Sequence, residues 1–491
     1  MTQHSYDLVV VGAGSGGYAA ARTARELGAS VALVDKGPLG GLCILRGCMP
    51  SKALLASSDA LYDAREARAI GIDAGNATQD VPFIAARKRG LVRSFAEYRI
   101  DGIATFPLYE GSASFVSAHE LRVRHHGAAS SRHPEHVEGR HTILQAKSFI
   151  IATGSVVAPP IVPGLAEAGY LDSDAVLELE RIPKSVIVLG GGYTACELGQ
   201  FLSRMGARTT MVVRSALLSH SDEDVSDTLE AAYREDGIEI VKGARLDRVE
   251  RRGTEKIVHV TVDGVERAVA AEEIFYALGR VPNVDGLKLE AAGVKYGPLR
   301  GVEIDATLRS NVRNVFAIGD VTAEFLLVHI AIYQGEIAAR NAILDGDEAA
   351  DYRVFSAHTI FCDPQVARVG KSEKALKAAK IPYVVGRYDF AEHGKAMCLG
   401  KTKGFVKIVA DGRSGEILGA TVVGTQGSEL IHEMIVAMHY RATVQEFMRI
   451  PHLHPTLAEI WTYPAEMCAA RLGMKAPGDE QMEVATSGTP A

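Results

Sequence analysis

The chain has 491 residues, 47% of them apolar and only 6% aromatic, with 49 glycines and a formal net charge of −7. That length builds about three domains, and the glycine content suits an α/β protein whose tight turns bring backbone close to ligands. The negative balance removes the electrostatic case for nucleic-acid binding, and no stretch is long and apolar enough to span a bilayer.

The chain enters a strand almost at once, at "YDLVVV" (6–11), without a charged segment or cleavage site. A reducing cytoplasm is therefore the expected compartment, and six cysteines in so long a chain are not a disulfide framework. The strand runs into Gly12, Gly14 and Gly17, spaced G-x-G-x-x-G, then a helix expected over 19–28 and the strand "VALVD" ending in Asp35. Such glycines let backbone pass close to a pyrophosphate lying on the helix N-terminus, and the acid stands where ribose hydroxyls are taken.

"GGLCILRGCMPSK" (40–52) follows, with Cys43 and Cys48 among Gly40, Gly41 and Gly47. A zinc site needs four ligands, and no second close Cys or His pair stands near by in sequence. Packing alone does not explain glycines, Pro50 and Lys52 crowded around two thiols. Residues 43–55 read as the first turns of one helix, whose positive end favours the reactive thiolate, so a redox pair is the expectation.

"HHGAASSRHPEHVEGRH" (125–141) is a polar, His-rich insertion between two strands, read as a solvated loop with a metal site as the alternative. "FIIATGS" (149–155) is a buried strand ending in a small-residue turn that contains Thr153 and Gly154. A second fingerprint, Gly190, Gly192 and Ala195, separates the strand "SVIVLG" from a helix carrying Tyr193 and Glu197. The next strand, "TTMVV", leads to Arg214 where the first copy had Asp35. An Arg there suits a 2′-phosphate and favours NADPH over NADH; a solvated Arg at a strand end is the plain alternative. Two more strands end in small-residue turns: "IFYALGRVPN" (274–283), with Gly279 and Arg280, and "VFAIGDV" (315–321), with Gly319 and Asp320. Two fingerprints imply two different dinucleotides, and these turns support a flavin as one of them. Cys196, Cys362 and Cys398 read as small buried residues.

These motifs, with "HPTLAE" at 454–459, resemble the two-cysteine flavoprotein disulfide reductases over nearly the whole chain, from Tyr6 to about Gly473. "GFVKIVAD", "ILGATVVG" and "HLHPTLAE" look most like dihydrolipoamide dehydrogenase, whereas Ser15, Arg22 and Arg214 are closer to glutathione reductase. The resemblance implies an α/β fold with two Rossmann-like domains and an α+β dimerisation domain. It places an FAD domain at 1–155 and 279–350, an NAD(P) domain at 156–278, a dimerisation domain at 353–475 and a disordered tail at 476–491. It implies an FAD- and NAD(P)H-dependent disulfide oxidoreductase. Cys48 would lie against the flavin as the charge-transfer thiolate and Cys43 would exchange with substrate. Lys52 would pair with Glu197, and Tyr193 would cover the nicotinamide pocket. Packing for Tyr193 and a solvated helix residue for Glu197 are the plain alternatives. His454 and Glu459 would be the acid–base dyad, supplied across a homodimer with shared active sites. The substrate would be a small-molecule or lipoyl disulfide, with glutathione-type disulfides or mercuric ion as alternatives. Cys468 stands alone where mercuric reductases carry a C-terminal pair.

Overall fold

Leu8, Val9, Val10 and Val11 are all buried, the pattern of a parallel strand covered on both faces. They form the end of β1 (Thr2–Val11) in a computed structural model that describes residues 2–126 and 141–474. Most of the His-rich insertion and the C-terminal tail therefore lie outside the described residues. After β1 come α1 (Ser15–Glu26), β2 (Val31–Asp35), α2 (Gly41–Arg46), α3 (Cys48–Glu66), α4 (Val81–Ile103), β3 (Leu108–Ser117), β4 (Glu120–His125) and β5 (His141–Ile151). The first helix thus starts and ends earlier than 19–28, because extended backbone at Gly14 caps it immediately after the turn.

The chain divides into two compact units. The first holds Met1–Leu54, Pro82–Pro159 and Gly279–Tyr352. Its sheet runs β3-β2-β1-β5 in parallel and is extended beside β5 by the strand Val315–Ala317. β4 pairs antiparallel with β3 and with the start of β5. Side chains alternate between two cores: Val9, Val11, Val34 and Phe149 pack on one face, and Leu8, Val10, Leu33 and Ile150 on the other. Each such aliphatic side chain contributes about 1.5–3 kcal/mol through burial. Helix α1 meets the helix Val328–Leu344 backbone to backbone: a Cβ on Gly335 would stand 2.4 Å from the Gly16 carbonyl oxygen.

The second unit holds Leu55–Val81, Pro160–Leu278 and Arg353–Ala491. One sheet is parallel, in the order Glu273–Tyr276, Ser185–Leu189, Arg208–Val212, Glu239–Val241. A three-stranded antiparallel ribbon spans Arg245–Arg252, Glu255–Val262 and Val265–Ala271. A second, five-stranded antiparallel sheet is covered by the helix Gly427–His439 and by Trp461, whose buried indole N–H donates to the Leu430 carbonyl at 3.0 Å. This is the expected α/β class: two dinucleotide-type parallel sheets and an α+β C-terminal region.

Buried charge in this unit is paired. Arg204, on the helix Tyr193–Arg204, donates to Asp59 at 2.7 Å, Asp363 at 2.8 Å and Asp236 at 3.2 Å, with its guanidinium over the Tyr62 ring. Among the described residues no helix is long and apolar enough to cross a membrane.

Candidate active site

In the first unit the turn after β1 is closed by contacts that admit no side chain. Gly12 has φ +108°, and a Cβ there would stand 2.3 Å from the Ala152 carbonyl oxygen. A Cβ on Gly17 would come within 1.9 Å of the Gly12 oxygen, whereas one on Gly14 would meet only the Gly41 Cα, at 3.8 Å. Gly41, at φ +79°, has the tighter half of that contact, since its own Cβ would stand 2.7 Å from the Gly14 Cα. The glycine before the first cysteine is thus fitted to the glycine at the head of α1.

Asp35 ends β2 with Oδ2 accepting from the Ala13 amide and Oδ1 from the Gly37 amide, each at 2.7 Å. Burial pushes this carboxyl up despite those two donors. Both oxygens retain lone pairs for a further hydroxyl. Beside it a cleft of about 590 Å³ opens, lined by Lys36, Gly37, Pro38, Leu39, Glu110 and Gly111. It lies at the carboxyl end of β2, beside the first residues of β3, and strand carboxyl ends are where dinucleotides bind in doubly wound sheets.

The other small-residue turns converge in the same unit. Thr153 Oγ1 donates to the Asn283 carbonyl at 2.7 Å, and the Asn283 amide donates back to the Gly154 oxygen at 2.9 Å. Arg280 donates to Ser155 Oγ at 2.9 Å, and that hydroxyl donates to Asp320 at 2.6 Å. Burial pushes the Asp320 carboxyl up, with its serine and arginine partners opposing. Gly279 and Gly319 hold positive φ, and the Gly319 amide donates to Gln334 Oε1 at 2.7 Å. A Cβ-free, amide-lined edge with two half-buried carboxyls at sugar-binding positions fits FAD.

The two thiols fall on two helices instead of one. Gly47 breaks the segment at φ −137°, ψ −112°, where a Cβ would stand 3.0 Å from the Leu42 oxygen. Cys43 lies inside α2 and Cys48 opens α3, so only Cys48 takes the N-terminal position of a long helix. Both are reduced and half-buried. The hydrogen bond to Cys48, followed by burial, pushes the Cys43 thiol far up, while Lys52 opposes. Of the two, Cys48 is the thiol that stands at the positive N-terminus of a long helix. Lys52 is half-buried in the first turn of α3.

In the second unit Gly190 has φ +121° and a Cβ there would meet the Ala277 oxygen at 2.5 Å, repeating the Gly12 contact. Gly192 caps the helix that begins at Tyr193, and Ala195 is fully buried. Tyr193 stacks on His358, with centroids 5.5 Å apart. Glu197 is buried, with Oε1 accepting from the Phe361 amide at 2.9 Å. Arg214 is exposed two residues beyond the strand end at Val212. His454 Nδ1 lies 3.0 Å from Glu459 Oε2, and His452 Nε2 lies 2.7 Å from Glu433 Oε1. Cys196 and Cys362 are buried as expected, and Cys468 is buried too, but Cys398 is exposed at the end of the short helix Gly394–Leu399, where no core covers it.

Sequence reading passed over Ser155 and Asn283, which tie the flavin-side turns together across more than a hundred residues. It also gave Gly41 no partner. The only signal for the first two was their place inside quoted turn segments.

Comparison with known proteins follows from this geometry. Residues 6–335 match the pyridine nucleotide-disulphide oxidoreductases, and residues 356–465 match the dimerisation domain of the same proteins. A dihydrolipoyl dehydrogenase of Chlamydia trachomatis is 34% identical over 467 residues, covering 94% of this chain and 96% of that protein. A mercuric reductase of Streptomyces lividans is 32% identical over 458 residues, covering 92% and 94%. The crystal structure of LpdA from Mycobacterium tuberculosis is similar at a TM-score of 0.82 and 27% identity, covering 95% of this chain and 99% of that one.

Proposed function

The chain belongs to the pyridine nucleotide-disulphide oxidoreductase family and is an FAD- and NAD(P)-dependent disulfide oxidoreductase; from that premise we propose that it exchanges two electrons between the NADP+/NADPH pair and a dihydrolipoyl-type dithiol/disulfide pair through Cys43 and Cys48. The observation that carries this reading is the hydrogen-bonded thiol pair, one thiol inside α2 and the other at the head of α3. Bound FAD supplies two-electron transfer between the nicotinamide and these thiols.

In this reading the FAD domain is 1–155 with 279–350, the NAD(P) domain 156–278 and the dimerisation domain 353–475. Gly12, Gly14, Gly17, Asp35, Thr153, Gly154, Gly279, Arg280, Gly319, Asp320 and Lys52 hold FAD. Gly190, Gly192, Tyr193, Ala195 and Arg214 hold NADPH, with Arg214 bonding its 2′-phosphate. Glu197 pairs with Lys52.

When Cys43 and Cys48 are disulfide-bonded, a substrate thiolate attacks Cys43 Sγ, forming a mixed disulfide and releasing the Cys48 thiolate. The second substrate thiol gives its proton to His454 and attacks the substrate sulfur of that mixed disulfide. The cyclic substrate disulfide leaves, and Cys43 departs as thiolate and takes the proton back from His454. Glu459 holds the imidazole through Nδ1, leaving Nε2 for that proton. The His454–Glu459 dyad serves the cysteines of a second copy in a homodimer. The compartment in this reading is the cytoplasm.

A steady-state screen tests the reading: NADH and NADPH against lipoamide, glutathione disulfide and Hg(II). Turnover of lipoamide is expected; turnover of glutathione disulfide alone would overturn the substrate class. Mercuric ion is disfavoured because Cys468 is fully buried against the Ile408 carbonyl and cannot hand a metal inward.

A further inference from the structure

We propose that His393 is a positioning residue for the dyad, so that His454, Glu459 and His393 form one line from solvent into the C-terminal core. This rests on the reading of His454 and Glu459 as the acid–base pair. Side-chain exposure falls along the line from 81% at His454 to 14% at Glu459 and 1% at His393. Glu459 Oε2 takes His454 Nδ1 at 3.0 Å, and its other oxygen, Oε1, stands 3.6 Å from His393 Nε2. Among the described residues neither ring nitrogen of His393 has a hydrogen-bond partner. A buried imidazole with both nitrogens unmatched is rare, and this one is aimed at the carboxylate of the dyad. At 3.6 Å the contact is open by about half an ångström, the kind of looseness that closes when a catalytic site fills.

His393 caps the short helix Gly394–Leu399 and meets Tyr463 edge-on, with centroids 6.2 Å apart. Tyr463 is itself stacked on Tyr388. The charged groups acting on the ring are Glu459 and His454, with Glu392 and Lys395 flanking it in the chain. Burial lowers its proton affinity, Glu459 offsets part of that, and His454 lowers it again. The neutral ring, protonated on Nε2, offers a donor to Oε1. That donor draws charge from the carboxylate and so holds down the proton affinity of His454. If the ring gains a proton at lower pH, its positive charge opposes protonation of His454 further. Both effects keep His454 neutral, ready to accept a proton, to lower pH.

The test is the pH dependence of single-turnover reduction of the holoenzyme by dihydrolipoamide, and separately by dithiothreitol. Flavin content and thermal midpoint monitor folding. His393→Leu should move the acidic limb upward by about 0.5–1 pH unit, and His393→Gln, whose amide nitrogen falls near the Nε2 position, should recover at least half of that shift. Glu459→Gln should move the limb downward. A limb moved by Glu459→Gln but not by His393→Leu would reduce His393 to packing and overturn the proposal. A limb moved by neither would remove the dyad itself, and the proposal with it. If His393→Leu loses flavin, His393→Gln and His393→Asn carry the test: a limb near the wild-type position with Gln and raised with Asn supports donation from the Nε2 position, and equal limbs in both refute it.

Discussion

Two glycines of one motif should fail in different ways. A Cβ at Gly17 would stand 1.9 Å from the Gly12 oxygen, about 1.5 Å inside ordinary contact, between a buried helix and a buried strand. Neither side is a flexible side chain, so Gly17→Ala must push α1 off the sheet. Overpacking of that kind costs about 3 kcal/mol, which is a drop in Tm on the order of 6–12 °C for a unit of this size. Gly14 has φ −68°, ψ −170°, which alanine adopts freely, and its added Cβ would touch only Gly41 at 3.8 Å. Gly14→Ala should therefore leave flavin-free protein within about 0.5 kcal/mol of wild type, yet weaken FAD binding tenfold or more, because the methyl occupies the space of the pyrophosphate. The assays are calorimetry of stripped protein and fluorescence titration with FAD. Equal loss of stability in both variants, or wild-type FAD affinity in Gly14→Ala, would refute the division into packing and approach.

Adding one equivalent of dithiol should give a long-wavelength absorption band that Cys48→Ser abolishes and Cys43→Ser shows without reductant; identical spectra in both would reverse the thiol roles. Steady-state kinetics should show NADPH to be at least as good a donor as NADH, with Arg214→Glu shifting the preference to NADH; a strongly NADH-preferring wild type would leave Arg214 a solvated charge. His454→Ala should lower turnover about 10²- to 10⁴-fold while flavin reduction by NADPH survives. Mixing it with Cys43→Ser under subunit exchange should recover about a quarter of wild-type activity, and no recovery would mean that each dyad serves its own chain.

What was legible in the sequence depended on how local its cause was. Gly12 and Gly190 could be read because positive φ and a strand–turn–helix context leave glycine as the residue that fits. The cysteine segment reads as one helix when its glycines are assigned to close approach to a cofactor; Gly47 instead breaks it, for a steric reason set by the Leu42 carbonyl. Cys398 looked buried because cysteines usually are, and its exposure follows from a helix too short to pack both faces. Ser155 and His393 could not be assigned at all. Their partners, Asp320 and Glu459, are distant in sequence, and nothing in "TGSVV" or "AEHGK" announces them.

Arg204 has a consequence for how the chain is made. Its three carboxylates lie about 300 residues apart along the chain, from Asp59 to Asp363. At roughly 5–20 residues per second, a ribosome needs about 15–60 s to deliver the last of them after the first. Arg204 follows Asp59 by 145 residues and precedes Asp363 by 159, so for about 8–32 s of that interval the nascent second unit holds a guanidinium site without its Asp363, and before Arg204 is made the Asp59 end of its helix lacks this partner. Chaperone occupancy on ribosome-bound chains should therefore persist until Asp363 clears the exit tunnel and fall soon after, whereas Asp363→Ala chains should keep their chaperones past that length.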